Sequence, residues 1–342
     1  MSMTRRPCLE KITPYQPGKP IEEVKRELGV EDVVKMASNE NPLGPSPLAL
    51  EAVKEHLPQI NYYPDGSSYY LKKALAEYLS LTENNIIVGN GADELITLVS
   101  MAYLNPGEEI IMAHPSFSEY EFAAQLMDAQ AIRIDCKGQD LRHDLEAMAE
   151  AVNDRTRLIM ICNPNNPTGT IVAHQELENF LKDLPTNILV VVDEAYYEYV
   201  TDDSFPQSLE LLARGYNILI LRTFSKVYGL AGLRVGYGLA QEDIITDLNP
   251  VRAPFNVNSV AQVAARAALR DREHVQAVRT LNHRGREFLS KEFERMGLFY
   301  LPTEANFIFV EVKVDAKEIF QKLLAKGIIV RGGDIFGFPQ FI

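Results

Sequence analysis

"NILILRTFSKVYGLAGLRVG", residues 217–236, opens on an apolar run and closes among glycines. Ile218, Leu219, Ile220 and Leu221 are consecutive, with no polar residue between them. A strand covered on both faces reads this way, because neither side of its pleat meets water. Thr223, Ser225 and Lys226 follow within five residues, and Arg234 stands eight residues beyond the lysine. A surface lysine needs no such setting, so the chemistry of this amine is the question.

Four more runs have the same character: "NNIIVGNG" (84–91), "EEIIMAHP" (108–115), "RLIMICNP" (157–164) and "NILVVVDE" (187–194). Helical patterns such as "DELITLVSMAYL" (93–104) and "LEAMAEAV" (145–152) lie between them. The alternation predicts an α/β fold with a mostly parallel central sheet flanked by helices. Ligands of such sheets sit beyond the carboxyl ends of the strands. After about residue 256 the pattern changes to a long Arg- and Ala-rich helical stretch, then "NFIFVEV" (306–312) and a helix around 315–326. The expected division is a large cofactor-binding unit over 38–255. The arm 1–37, with its extended "TPYQPGKP", and residues 256–342 form a smaller α/β unit. "VRAPFNVN" (251–258) reads as the hinge between them.

The 342 residues suffice for a large core and a smaller one, and 46% apolar with 24% charged residues is ordinary for a soluble globular chain. A net charge of −13 argues against nucleic-acid or anionic-membrane partners, so an anionic ligand needs a local cationic cluster. Cys8, Cys136 and Cys162 have no paired spacing and the six histidines no ligand spacing, so neither a disulfide framework nor a metal site is expected. With no apolar h-region at the N-terminus and no run that could span a bilayer, a cytoplasmic location is expected.

Each strand end offers one group. After 84–88 comes "GNGADE", glycines leading into a helix, which is either a tight turn or a phosphate-binding N-terminus. His114-Pro115-Ser116-Phe117 follows the next run; Phe117 is either a core residue or an aromatic face for a flat ring, and His114 is structural or supporting. "NPNNPTG" (163–169) is dense in amides. Asp193 closes an apolar strand, where a carboxylate is costly unless it meets a cation, and Tyr196 is close behind. Cys162 reads as a small core residue.

Weak singly, these groups together describe pyridoxal phosphate. Lys226 supplies the amine for its aldehyde, and Asp193 the acid at its ring nitrogen. Asn166 and Tyr196 can hydrogen-bond the phenolic oxygen. The Ala92 and Asp93 backbone N–H groups, the Thr223 and Ser225 hydroxyls and the Arg234 guanidinium make a phosphate cup.

The order N-P-T-G (166–169), D-x-A-Y (193–196), then S-K with a downstream R-x-G (225–236) resembles the fold-type I aminotransferases over nearly the whole chain. Within them "PYQPGKP" (14–20), "ASNENPLGPSP" (37–47), "NYYPDGSSYYLKKALAEY" (61–78), "GNGADELI" and "HPSFSEY" resemble the histidinol-phosphate aminotransferase family. That resemblance implies a homodimer in which Tyr63 reaches the partner's cofactor phosphate and Tyr15 approaches substrate across the interface. It implies that Phe117 stacks on the pyridine ring, and that Asn39 and Arg331 bind substrate, Arg331 at its phosphate. Some members carry Tyr at the Phe117 position, so one hydroxyl contact to substrate is missing here. Members continue after a segment like "GFPQFI" with a strand whose arginine also binds the substrate phosphate; this chain ends at Ile342, so an incomplete C-terminal end is expected.

The reaction implied is amino transfer between glutamate and imidazole-acetol phosphate, giving histidinol phosphate and 2-oxoglutarate, a step of histidine biosynthesis. An aromatic amino-acid aminotransferase and a threonine-phosphate decarboxylase share the scaffold and stay open as alternatives. A non-catalytic regulator that binds the cofactor is a further one, though no DNA-binding extension is visible.

Overall fold

A computed structural model describes residues 4–14 and 18–342; Tyr15 lies outside the described residues. Nine strands are found there: β1 Val34–Lys35, β2 Ile86–Gly89, β3 Glu109–His114, β4 Gln130–Asp135, β5 Thr156–Cys162, β6 Leu189–Asp193, β7 Ile218–Thr223, β8 Gly236–Leu239 and β9 Ile328–Ile329. Seven of them form one sheet in the order β2-β8-β7-β6-β5-β3-β4. From β4 to β7 all neighbours are parallel, and β8 runs antiparallel to β7 and β2. The mostly parallel, helix-flanked sheet is the one the apolar runs predict.

Alternation along each strand sends side chains to two separate cores. Leu158, Met160, Val191, Leu219 and Leu221 pack with Leu95, Val99 and Tyr120 on one face. Ile159, Ile161, Val190, Val192 and Ile220 pack with Leu177, Phe180 and Tyr228 on the other. Each such side chain contributes roughly 1.5 to 3 kcal/mol by leaving water. Both faces are thus apolar and both are covered, which is why the runs are continuous.

Register then sets the site. Cys162 stands opposite Asp193, Asp193 opposite Leu221, and Thr223 opposite Gly236. The carboxyl ends of β5, β6 and β7 therefore lie side by side, with Asp193 in the middle.

The two ends of the chain meet elsewhere. β1 and β9 pair in parallel, beside a small core of Val24, Leu324 and Ile329. The 306–312 run makes isolated bridges, Tyr300 with Val310 and Glu311 with Phe341, rather than a ladder. Farther toward the main sheet, the helix Ser259–Ala268 turns Ala261, Ala264, Ala265 and Ala268 into the same core as Ala49 and Leu71. Its small side chains let the backbone approach the helices Pro47–His56 and Tyr69–Leu79 closely.

Candidate active site

Asp193 is buried, and both its carboxylate oxygens accept a hydrogen bond. The Tyr120 hydroxyl donates to Oδ2 at 2.7 Å and the Ala195 backbone N–H to Oδ1 at 3.1 Å. Burial pushes the acid up to about 6, although those two donors pull the other way. The group is primed to meet a positive charge.

Lys226 leaves the end of β7 and points Nζ at the Ser38 carbonyl, 3.1 Å away. The same nitrogen lies 5.6 Å from the centre of the Tyr196 ring. Burial lowers the ammonium to about 8; Asp93, Glu40 and Asp193 oppose the shift, and nearby Arg234 adds to it. A lysine so placed holds an appreciable neutral fraction near pH 7, as a nucleophilic amine requires. Tyr196 is buried with its ring edge-on to Phe307, and its hydroxyl accepts from Asn39 Nδ2 at 3.0 Å. Asn39 itself has a left-handed backbone, φ 56°, which aims its amide inward from the loop after β1.

At the other end stands the cup. The helix Ala92–Tyr103 starts after Gly91 with no side chain capping its first N–H groups. A Cβ on Gly91 would lie 2.5 Å from Arg234 Nη2, and one on Gly236 would lie 2.6 Å from the Ala92 nitrogen, so both positions need glycine. Thr223 Oγ1 donates to Ser225 Oγ at 3.0 Å, and Arg234 Nη1 reaches that oxygen at 3.4 Å. Arg234 Nη2 is 2.8 Å from Asp93 Oδ2. An uncapped helix start, two hydroxyls and a guanidinium fit a phosphate, and the buried acid and amine fit a pyridine aldehyde.

Other expected residues are placed less decisively. Phe117 sits edge-on to Tyr120, ring centres 5.7 Å apart, beside the core face that carries Cys162. Asn166 is half-buried, in the loop that follows β5. Its neighbour Asn165 does the fastening: it accepts from Ser116 Oγ at 2.9 Å and donates to the Pro115 carbonyl at 3.0 Å. Tyr63 is 83% exposed and stacks on Phe255 at 4.9 Å, out on the surface of its own subunit. The 251–258 segment, expected as a hinge, braces that region: Arg252 donates to the Gly66 carbonyl and Asn256 to that of Val88. Arg331 follows β9 and is half-buried. His114 faces Asp135 at 3.3 Å. Among the described residues no cluster of three or more His, Cys, Asp or Glu could hold a metal ion.

Three participants carry little or no signal in the sequence. Tyr120 shows only the periodicity of a core tyrosine, although it lies within "HPSFSEY". The Ser38 carbonyl is backbone and has no residue-type signal. Asn306 donates to the Asn39 carbonyl at 3.0 Å, and an isolated asparagine in an apolar run is its sole trace.

Comparison with known proteins identifies the family. The model of the family "Aminotransferase class I and II" matches residues 31–342. A histidinol-phosphate aminotransferase of Moorella thermoacetica is 57% identical over 98% of this chain and 87% of its own length. One from Caldicellulosiruptor saccharolyticus is 52% identical over 98% of this chain and 94% of its own. Among solved structures, a histidinol-phosphate aminotransferase of Sinorhizobium meliloti in complex with pyridoxal-5'-phosphate superposes with a TM-score of 0.88 at 28% identity, covering 97% of this chain and 90% of that one. The protein therefore belongs to the class I and II aminotransferases.

Proposed function

We propose that this protein transfers the amino group of L-histidinol phosphate to 2-oxoglutarate, giving imidazole-acetol phosphate and glutamate, with pyridoxal phosphate as its cofactor. The observation that carries the reading is the convergence of Lys226, Asp193 and Tyr196 at two adjacent strand ends, in a chain 57% identical to a histidinol-phosphate aminotransferase.

When bound, pyridoxal phosphate supplies an aldehyde that condenses with amines and a ring that accepts the electron pair released at the substrate Cα. Lys226 would hold the cofactor through Nζ, and that amine, once freed by substrate, would carry the proton released at the substrate Cα. Asp193, ionised, keeps the ring nitrogen protonated. Tyr196 donates to the phenolic oxygen, with Asn39 behind it; Asn166 is assigned to the same oxygen and Phe117 to the ring face. The Ala92 and Asp93 N–H groups, Thr223, Ser225 and Arg234 hold the phosphate. Arg331 is assigned to the substrate phosphate.

The working unit in this reading is a homodimer. Support comes from Tyr63, exposed together with Leu57, Ile60, Tyr62 and Tyr70, an apolar patch of the kind a subunit covers. No described helix is long and apolar enough to cross a membrane, and a cytoplasmic location is proposed. The chain is further read as a large and a small unit, with the helix Ser259–Ala268 counted in the large one because it packs there.

A single-turnover test decides between substrates. The cofactor-loaded enzyme is mixed separately with histidinol phosphate, phenylalanine and glutamate, and the cofactor absorbance is followed. Rapid conversion by histidinol phosphate and glutamate supports the proposal. Faster conversion by phenylalanine than by histidinol phosphate would make it an aromatic aminotransferase.

A further inference from the structure

One polar side chain that the proposed mechanism does not use touches its central acid. Tyr120 lies in the helix Glu119–Leu126, packed on the sheet face that carries Leu158, Met160 and Leu221, and it is wholly buried. A tyrosine hydroxyl taken out of water costs a few kcal/mol unless it finds a partner. This one donates to Asp193 Oδ2 at 2.7 Å, while the nearby Cys162 thiol donates to the Pro164 carbonyl at 3.4 Å. Cys162 is itself opposite Asp193 in the β5–β6 register. The hydroxyl thus meets the carboxylate in a space closed by Phe117 and the core.

From this geometry we infer that Tyr120 is a positioning residue: its hydroxyl fixes the Asp193 carboxylate and keeps it ionised toward the cofactor ring nitrogen. The inference rests on the proposed role of Asp193 and extends it. A lone carboxylate at the end of an apolar strand has two ways to relax: it can take a proton or it can rotate away. The Ala195 N–H alone leaves Oδ2 without a partner; the Tyr120 hydroxyl supplies one that contributes no charge of its own. The other ionisable groups around the acid do not substitute for it. Asp93 and Glu194 disfavour the ionised form. Lys226 favours it by charge. Tyr196, whose hydroxyl is engaged by Asn39, and Cys162 complete the surroundings.

The test uses Tyr120→Phe, which keeps the ring and its contact with Phe117, and two readouts besides turnover. In cofactor-free protein carrying carbon-13 at aspartate Cγ, the Asp193 carboxyl signal should titrate at least one pH unit higher in Tyr120→Phe than in the parent. In the loaded enzyme, nitrogen-15 in the cofactor ring should report a smaller protonated fraction. Proton abstraction should slow about ten-fold, whereas KM changes less than two-fold. Adding Tyr120→Phe to Asp193→Asn should slow it by less than two-fold, because a residue acting through Asp193 has nothing left to act on. An unchanged carboxyl titration, or an equal slowing in both backgrounds, overturns the inference. If Tyr120→Phe does not fold, 3-fluorotyrosine incorporated at position 120 serves: a stronger hydrogen-bond donor of nearly the same shape, it should lower the same titration, and no change counts against the inference. A ring nitrogen unprotonated in the parent enzyme would instead refute the assignment of Asp193, so the two failures are distinguishable.

Discussion

Arg234 Nη2 stands 2.8 Å from Asp93 Oδ2, so the cation assigned to the cofactor phosphate already faces a carboxylate. The two side chains are 42% and 51% exposed, and an ion pair so wet contributes at most about 1 kcal/mol. A charged hydrogen bond to phosphate is worth roughly 1.5 to 3 kcal/mol, enough to displace it. Arg234→Lys loses the planar fork and should weaken cofactor binding about 10- to 100-fold by fluorescence titration. Asp93→Asn removes the competitor and its repulsion of the dianion, and should tighten binding a few-fold. Marked weakening by Asp93→Asn would mean that the carboxylate chiefly orients Arg234.

Asp193 makes a prediction about pH. Its folded-state value is raised to about 6 from an ordinary 3.8, so the folded chain holds that proton more tightly than the unfolded one. The contribution to stability is therefore fully present below about pH 4 and is lost as the pH rises through about 6. Asp193→Asn has no such loss, so cofactor-free Asp193→Asn should exceed the parent in stability by up to about 3 kcal/mol at pH 8. That margin should shrink toward pH 4. The same substitution should slow proton abstraction far more than it weakens cofactor binding. Denaturant titrations at several pH values check the first claim, and single-turnover kinetics the second.

Asp193 is legible as a candidate because a carboxylate closing a continuous apolar strand is costly, and Lys226 because an amine follows two hydroxyl residues just past such a strand, with Arg234 beyond it. The parallel sheet is legible too, since burial on both faces leaves no polar alternation. Tyr120 is not legible, because a tyrosine on the buried face of a helix looks the same whether or not its hydroxyl serves an acid. Nor is the surface position of Tyr63, or the packing of Ala261 and Ala264 across the expected boundary at 255, since both depend on tertiary contacts that no local pattern encodes.

Shared sites predict a recovery of activity in mixed dimers. Combining one Lys226→Ala subunit with one Tyr63→Phe subunit produces one site with both lesions and one with neither. Such dimers should retain close to half the parent activity per dimer, well above either variant alone. Mixed dimers no more active than the variants would place Tyr63 outside the partner's site.

Arg331 bears on substrate choice. In a chain of net charge −13, a phosphorylated substrate needs a local cation to offset the overall field. Arg331→Ala should raise KM for histidinol phosphate about 10- to 100-fold, the equivalent of one charged hydrogen bond. Histidinol without the phosphate should be affected little, and cofactor affinity, held through Arg234, not at all. Equal effects on both substrates would remove Arg331 from phosphate recognition.

The central claim is that the buried amine of Lys226 carries the cofactor, and borohydride reduction followed by peptide mass analysis tests it most directly. Reduction fixes the cofactor on whichever lysine holds it and blocks tryptic cleavage there. The account predicts one modified peptide, spanning Thr223 to Arg234, with the added mass on Lys226, and no modification of that peptide in Lys226→Ala. The cofactor fixed on a different lysine, or a Lys226→Ala enzyme that keeps its visible absorbance and near-normal turnover, would contradict it.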